Sequence, residues 1–559
     1  MRKSLPLLLA ILICACSSPQ VEEDKKPTSG DQSKAEQTAS ETEWNGHHRL
    51  TGDVRPDSYD LHLTIDPAGE TFSGEVTIAA TVERATEAIR MHAESLDFSA
   101  VEATRQGESL EVDHEAVKNG GLLLNFDEQL EPGPITLEFA YDAPLDDVPE
   151  GLYRVKDGGS WYAFTQFEPL EAREAFPCFD EPRFKTPFKT RVTVPEGLMA
   201  ATNGPKVGQK KTDDGVVWQF AETKPLPSYL VAFAVGDFDV IEGPDDAMEG
   251  VPLRVLTTKG KSKLAEYALE KTPELVAVQE EYFGQDFPFQ KMDLVAVPNF
   301  AAGAMENVGL VTYRESILLL DAEKASARDK YVALSVMAHE YAHMWFGNQV
   351  TPEWWDDLWL NEAFATWMGG RTIQKVSPEL EPEIEAIRSR GRVMSADSLK
   401  KSRAIRQPIE TGGDVYNAFD GITYSKGAAI LRMFEAWVGA EAFRAGVRDY
   451  LEANAYGAAE TDDLLSALDE STGEPVSQVI ANFLDQPGAP MVTAKLDPAS
   501  CEAGEPTVQL EQTRYLPVGS EAERGEPWQV PMCLWYAGGD GEKQKKCFLF
   551  DGSEESPRT

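Results

Sequence analysis

Cysteine and histidine are both scarce, six and seven residues in a chain of 559. So few cysteines over that length cannot build a disulfide scaffold, and without a CxxC pair a zinc ribbon or a thioredoxin-like centre is excluded. Basic residues are also in deficit, 52 Lys plus Arg against 94 Asp plus Glu, for a formal charge of -42. A polyphosphate would be repelled, so no nucleic-acid partner is expected. No segment reaches the ~20 apolar residues of a transmembrane helix, and no internal repeat suggests a solenoid. What is there is ordinary globular material, 42% hydrophobic and 26% charged, long enough for about two to four domains. The acidic surplus reads as a solvated surface, although a negative cleft would also draw cationic N-termini.

The first residues form an address label. Arg2 and Lys3 precede an apolar run from Leu5 to Ile13 that is too short to span a bilayer. Ile13, Ala15 and Cys16 then resemble a bacterial lipobox, with Cys14 an unusual occupant of its middle position. The resemblance implies a lipoprotein signal peptide over residues 1–15, cleavage before Cys16 and acylation of its thiol. The protein would then be exported and lipid-anchored to a bacterial membrane on its periplasmic or cell-surface side. A simple secretory peptide cut nearby is the plainer alternative, and it also implies export. Residues 16–45 are rich in Ser, Thr, Glu, Asp, Lys, Gln and Pro, the composition of a flexible tether.

Folded sequence begins near Gly46. Tyr59 to Ile65 and Gly74 to Val82 alternate apolar and polar residues, a pattern that recurs to about Asp239, so residues 46–240 are expected to be β-rich. After Lys261 the period becomes helical, as in Leu264 to Tyr282, and mixed segments fill 241–490. From Met491 the strand pattern returns.

Beyond Glu115 there are only two histidines, and they stand four residues apart in His339-Glu340-Tyr341-Ala342-His343. Four residues advance a helix by about 400°, so both imidazoles leave one face a turn apart, as two ligands of one Zn²⁺ must. Ser326 and Asp329 form a candidate capping box for this helix, and Gly347 a candidate stop. A hydrolytic zinc needs a third protein ligand and an open position. Glu362 follows His343 after eighteen residues, with Gly347, Asn348 and Pro352 to break the chain, so it would return on an adjacent antiparallel helix. Tryptophans at 345, 354, 355, 359 and 367 predict that this segment is buried, and a buried glutamate needs a cation. Zinc on these three residues would lower the pKa of a water from about 15.7 toward 7, and Glu340, beside the metal and off it, would be the general base.

At this point the chain resembles the gluzincin zinc aminopeptidases, the family of aminopeptidase N and leukotriene A4 hydrolase, whose pattern is HExxH, eighteen residues, then Glu. Three further segments are similar to family motifs: Gly303-Ala304-Met305-Glu306-Asn307, Gln166-Phe167-Glu168 followed by Phe176 to Pro182, and Tyr424-Ser-Lys-Gly-Ala428. Ala363 stands where most members have Gly. The resemblance implies a multidomain α+β fold with a β-rich saddle domain, a thermolysin-like α/β catalytic domain, a partial C-terminal β-sandwich over 491–559 and no helical cap. It implies one zinc per chain and removal of the N-terminal residue from peptides with a free N-terminus. It makes Tyr424 a hydroxyl donor to the tetrahedral oxyanion, and Glu306 with Glu168 the anchor for the substrate's α-ammonium. Gln166 and Asn307 belong to the same substrate-binding segments, Gly303 and Ala304 would let the substrate backbone approach as an added strand, and Met305 and Phe419 would wall the first side-chain pocket or else be core.

Two other functions fit parts of this pattern, a peptide-binding surface lipoprotein on an inactive zinc-peptidase scaffold and a zinc hydrolase of a non-peptide electrophile such as an epoxide. Cys533 and Cys547 are equidistant from residue 540, where Gly538-Gly-Asp-Gly541 reads as a turn, so a regular hairpin would set them opposite each other, with Cys501 a competing partner.

Overall fold

The computed structural model describes residues 49–244, 247–502, 507–537 and 542–552. The expected signal peptide, Cys16 and the tether lie outside the described residues, as does the turn at 538–541. The described residues form a multidomain α+β protein in which sheets come first and helices later.

Alternation builds the first sheets. In Val54–Thr64, Tyr59, Leu61 and Leu63 point inward between less buried neighbours. The antiparallel partner Thr71–Val82 sets Ile78 opposite Tyr59 and Val76 opposite Leu61, so two apolar rows face one core. Phe188 of the parallel neighbour Phe188–Val194 stacks on Tyr59 with ring centroids 4.6 Å apart. Among the described residues eight strands join this sheet. A second sheet pairs Ser160–Gln166 with Gly151–Asp157 and Phe233–Gly236, and its strand Ser160–Gln166 ends at Gln166. The Phe176 to Pro182 segment is held on the sheets by a buried ion pair, Arg173 Nε to Asp180 Oδ2 at 2.8 Å, and by reciprocal backbone hydrogen bonds between His92 and Cys178. Cys178 is buried, and burial pushes its thiol well up.

The strand Phe238–Glu242 crosses the expected boundary at 240–241 and pairs with Leu253–Thr258 in a mixed sheet. The order then runs through Met292–Val297 and Leu310–Arg314 to Ala304–Met305 at the edge. Helices pack beside it: α1 (Glu266–Phe283), α2 (Ala327–His343), α3 (Trp359–Val376), α4 (Pro382–Asp397) and α5 (Gly427–Val438). Gln279 of α1 clamps the next two, its Nε2 donating to Ala338 O at 2.7 Å and Thr372 Oγ1 at 3.3 Å. Thr272 of α1 bonds Tyr341 of α2 through their hydroxyls at 2.7 Å.

The last strands form two separate pairs among the described residues, Pro490–Asp497 with Thr507–Arg514 and Val530–Ala537 with Lys543–Phe550. They form two separate two-stranded ribbons. Cys533 and Cys547 are opposite in register and disulfide-bonded.

Candidate functional site

Local sequence fixes the helix that carries the histidines. Ser326 caps α2: Asp329 N–H donates to Ser326 Oγ at 3.2 Å, and Ser326 N–H donates back to Asp329 Oδ2 at 3.0 Å. Ala333, Leu334, Met337, Ala338 and Tyr341 bury one face. The helix ends at His343, and Gly347, at φ 121°, turns the chain where a Cβ would lie 3.2 Å from His343 Nδ1. Trp345, Trp355, Trp359 and Trp367 are buried around this turn, as expected, whereas Trp354 is half-buried.

The return is antiparallel. Glu362 meets His343 and His339, Thr366 meets His339, and Gln279 ties Ala338 to Thr372, so α3 ascends as α2 descends. Ala363 is accommodated because residue 427 is glycine: a Cβ at 427 would sit 2.4 Å from the Ala363 methyl.

Three ligand atoms converge. His339 Nε2 is 3.2 Å from Glu362 Oε2, His343 Nε2 is 3.0 Å from His339 Nε2, and His343 Nε2 is 3.6 Å from Glu362 Oε2. Ligands of a tetrahedral zinc at ~2.0–2.1 Å lie about 3.3–3.4 Å from one another, so the triangle fits one ion. The tautomer fits too. His343 Nδ1 is 2.9 Å from Phe346 O, so with an ion bound the ring would keep its proton on Nδ1 and turn the Nε2 lone pair toward the triangle. His339 Nδ1 has Thr366 Oγ1 at 3.4 Å.

The electrostatics ask for a cation. Carboxyl oxygens of Glu168, Glu306 and Glu362 all lie within 4.8 Å of one another, and Glu340, Glu306 and His343 form a second such group. Burial, then the Glu306 charge, pushes Glu340 well above the usual carboxylate range, and burial with Glu306 and Glu362 does the same to Glu168. Burial also raises Glu306, against the pull of His343. Burial by itself would raise Glu362 and lower His343; their mutual attraction wins, holding Glu362 down to about 2 and, with Glu306, lifting His343 to about 10. Burial depresses His339. Oε1 of Glu168 and Oε1 of Glu306 are buried without a hydrogen-bond partner among the described residues. Buried acceptors without a hydrogen bond are costly unless a cation meets them, and for Glu306 the nearest cationic group is the His343 ring at 3.7 Å.

The other expected residues surround this cluster in different ways. Gln166 donates from Nε2 to Glu168 O at 3.1 Å and to Met305 Sδ at 3.7 Å. Met305 is buried, and Phe419 is half-buried against Trp355 at 6.4 Å between centroids. Gly303 precedes the edge strand Ala304–Met305, and Asn307 Nδ2 donates to Thr312 Oγ1 at 3.2 Å behind it. Tyr424 lies on a π-helical turn, Ile422–Lys426, and stacks on His339 with centroids 5.9 Å apart. The turn is pinned by Lys426 Nζ to Asp397 Oδ2 at 3.0 Å and by Arg403 bonding Ala418 O and Thr423 Oγ1.

Sequence reasoning missed three supporting residues. Asn348 Nδ2 donates to Glu306 O at 2.8 Å, fixing that residue's backbone. Tyr229, buried on a 3-10 turn, is raised by burial and then by the charges of Glu168, Glu306 and Glu362, so its hydroxyl faces the acidic cluster, with the Asn361 side chain near it. Neither Tyr229 nor Asn361 carries a local signal, because both act across the boundary between the early sheets and the helices.

Comparison with known proteins bears on this arrangement. Residues 55–230 match the Peptidase M1 N-terminal domain and residues 267–483 the Peptidase family M1 domain. The chain is 38% identical to Aminopeptidase M1-A of Oryza sativa subsp. japonica over 93% of its own length and 59% of that protein. It is 36% identical to Aminopeptidase M1 of Arabidopsis thaliana over 91% and 57%, and 36% identical to Aminopeptidase 2 of Candida albicans over 87% and 52%. The chain therefore spans little more than half the length of these relatives.

Proposed function

The chain belongs to peptidase family M1, and from that premise we propose that it is a zinc aminopeptidase that hydrolyses the N-terminal residue from peptides. The observation that carries the reading is the triangle of His339, His343 and Glu362 with Glu340 beside it and two further dry carboxylates, Glu168 and Glu306, against it. The names of the relatives, all aminopeptidases, support the same activity.

His339, His343 and Glu362 would hold the ion, which when bound supplies Lewis acidity to the scissile carbonyl and to water. The chain's own groups account for the rest. Glu340 takes the proton of the attacking water and delivers it to the leaving nitrogen, a role suited to a carboxyl whose proton affinity burial has raised. Tyr424 donates its hydroxyl to the oxyanion as the carbonyl becomes tetrahedral. Glu306 and Glu168 receive the α-ammonium. An internal peptide bond brings no such cation and leaves Oε1 of both carboxylates without a hydrogen-bond donor. Ala304 and Met305, on an edge strand, offer free backbone groups to a substrate lying as the next strand.

Export with acylation at Cys16 is the accompanying proposal, supported by the short apolar run before Ile13, Ala15 and Cys16 and by a disulfide of the kind that persists in oxidising compartments. Detergent partitioning with and without Cys16→Ser tests it; partitioning into water by both forms would remove the anchor.

The activity is tested with a panel of aminoacyl-arylamides, each with its N-acetylated counterpart, with and without chelator. Cleavage of the free-amine series alone, lost on chelation and restored by zinc, is the expected result. Equal cleavage of the acetylated series would make the protein something other than an aminopeptidase.

A further inference from the structure

A groove of about 590 Å³ is walled by α2, α3, α4, the π-helical turn and α5. That size falls within the ~300–1,000 Å³ typical of small-ligand sites and accommodates a few residues of peptide. Its inner end adjoins the site: Thr366, in the groove wall, has its Oγ1 3.4 Å from His339 Nδ1, and Ser425, also in the wall, follows Tyr424. The floor carries the half-buried Tyr331, Val336, Ala428 and Met433.

The rim is cationic in a chain whose formal charge is -42. Arg328, Arg390, Arg392 and Arg432 line it, with Glu385 as the acid among them. Glu385 is already engaged, by Arg392 at 3.0 Å and by Arg328 and Arg388 at 3.5 Å each. Arg390 and Arg432 are exposed, and among the described residues neither has a hydrogen-bond or ion-pair partner. The charges on the two sides of the metal triangle are thus opposite. Glu306 sits beside His343, with Oε1 3.7 Å from its Nδ1, whereas the arginine-rimmed groove begins beside His339.

Resting on the aminopeptidase reading, we propose that this groove holds the substrate on the carboxyl side of the scissile bond, and that Arg390 and Arg432 bind the terminal carboxylate of a short peptide. A short peptide is a zwitterion. Its ammonium matches Glu168 and Glu306, its carboxylate matches guanidinium forks that form bidentate hydrogen bonds, and the apolar floor covers side chains between them. The favoured substrates are therefore short oligopeptides with a free C-terminus, the products of a preceding endopeptidase cleavage.

The test uses the full zinc-loaded chain and tetra-alanine as free acid and as C-terminal amide, with binding measured calorimetrically in a Glu340→Gln background so that turnover does not intervene. Binding of the acid about tenfold tighter than the amide is expected, with the ratio falling as salt rises. Arg390→Ala with Arg432→Ala should bring the ratio to one, and Arg→Lys at both positions should keep part of it. Each ratio is taken within one protein, so partial loss of fold cancels. Equal binding of acid and amide by the parent, or a preference that survives the double Ala substitution, overturns the proposal. Arylamide turnover by the unsubstituted chain is read in parallel. An acid preference without turnover would retain the groove and reject the aminopeptidase, and turnover without the preference would do the reverse.

Discussion

The helix pair α2 and α3 and the C-terminal ribbon Val530–Ala537 with Lys543–Phe550 are both short antiparallel units tied across their middle, and they treat charge in opposite ways. Between the helices, Glu340, His343 and Glu362 are buried and face one another. On the ribbon, Lys543, Lys545 and Lys546 are in water, and even Trp535 is 68% exposed. In water a charge is screened and its spacing matters little. In a dry site each carboxylate raises the cost of the next, so the group is held together only by a cation or by protons. The helices are tied by ligands that would share an ion, the ribbon by the Cys533–Cys547 bond.

The largest expected effects come from breaking the dry side. Glu362→Ala removes one corner of the triangle; metal content should fall to background and arylamide turnover by more than about 10³-fold. Retained stoichiometric zinc in that variant would show that the ion is held elsewhere. Glu340→Gln should keep the metal and lose turnover by about 10²–10⁴-fold, the range for a positioned acid–base group. Metal loss instead would make Glu340 a ligand. Glu306→Ala should cost free-amine substrates about 10²-fold, roughly 3 kcal/mol, while raising the melting temperature, because a buried carboxyl oxygen without a hydrogen-bond partner disappears. A variant that loses activity and stability together would argue that Glu306 is structural.

The contrast also explains what could be read in the sequence. His339, Glu340, His343 and Glu362 were legible because a dry metal site allows few spacings, and Ser326 with Asp329 because a helix start is a local device. The β-rich first part was legible from alternation, as in Tyr59, Leu61 and Leu63. Glu168 and Tyr424 required family resemblance: one follows a sheet strand at 166 and the other sits on a π-helical turn, and neither position has a periodicity that singles it out. Tyr229 and Asn348 were not legible at all, since each acts on residues far away in the chain, and neither was Arg432, whose place on the groove rim depends on how α5 packs against α4. The pairing of Pro490–Asp497 with Thr507–Arg514 was not legible either, because strand patterns fix which residues alternate but not which strands pair.

A smaller effect extends the buried-acid region. Glu171, three residues after Glu168, is buried and accepts hydrogen bonds from Tyr416 OH and Leu170 N–H. Burial outweighs both and pushes its carboxyl up to about 7. Because the folded value lies above the unfolded one, the fold binds the proton more tightly. The stability this gives is complete below the ordinary carboxylate pKa near 4.3 and is lost as pH rises through 7, at most about 4 kcal/mol. Glu171→Gln keeps an acceptor for Tyr416 and should flatten the fall in melting temperature between about pH 4.5 and 7. An unchanged slope would assign that fall to other groups.

The smallest expected effect is on the wet side. Closing a loop of about 15 residues stabilises a chain by about 3 kcal/mol in the entropy model, and Cys533 and Cys547 are separated by 14 positions. A two-stranded ribbon is marginal alone, and this one is held to the rest through the buried Trp528 and the bond from Gln529 N–H to Asn482 Oδ1 at 3.0 Å. No charged group of the metal site takes part in either contact. Cys533→Ser with Cys547→Ser should therefore speed proteolysis within 515–552 while leaving the main melting transition and the acid-over-amide ratio where they were. If the main transition falls with the ribbon, the two regions unfold as one unit, and the opposition between a cation-tied core and an independently tied edge fails.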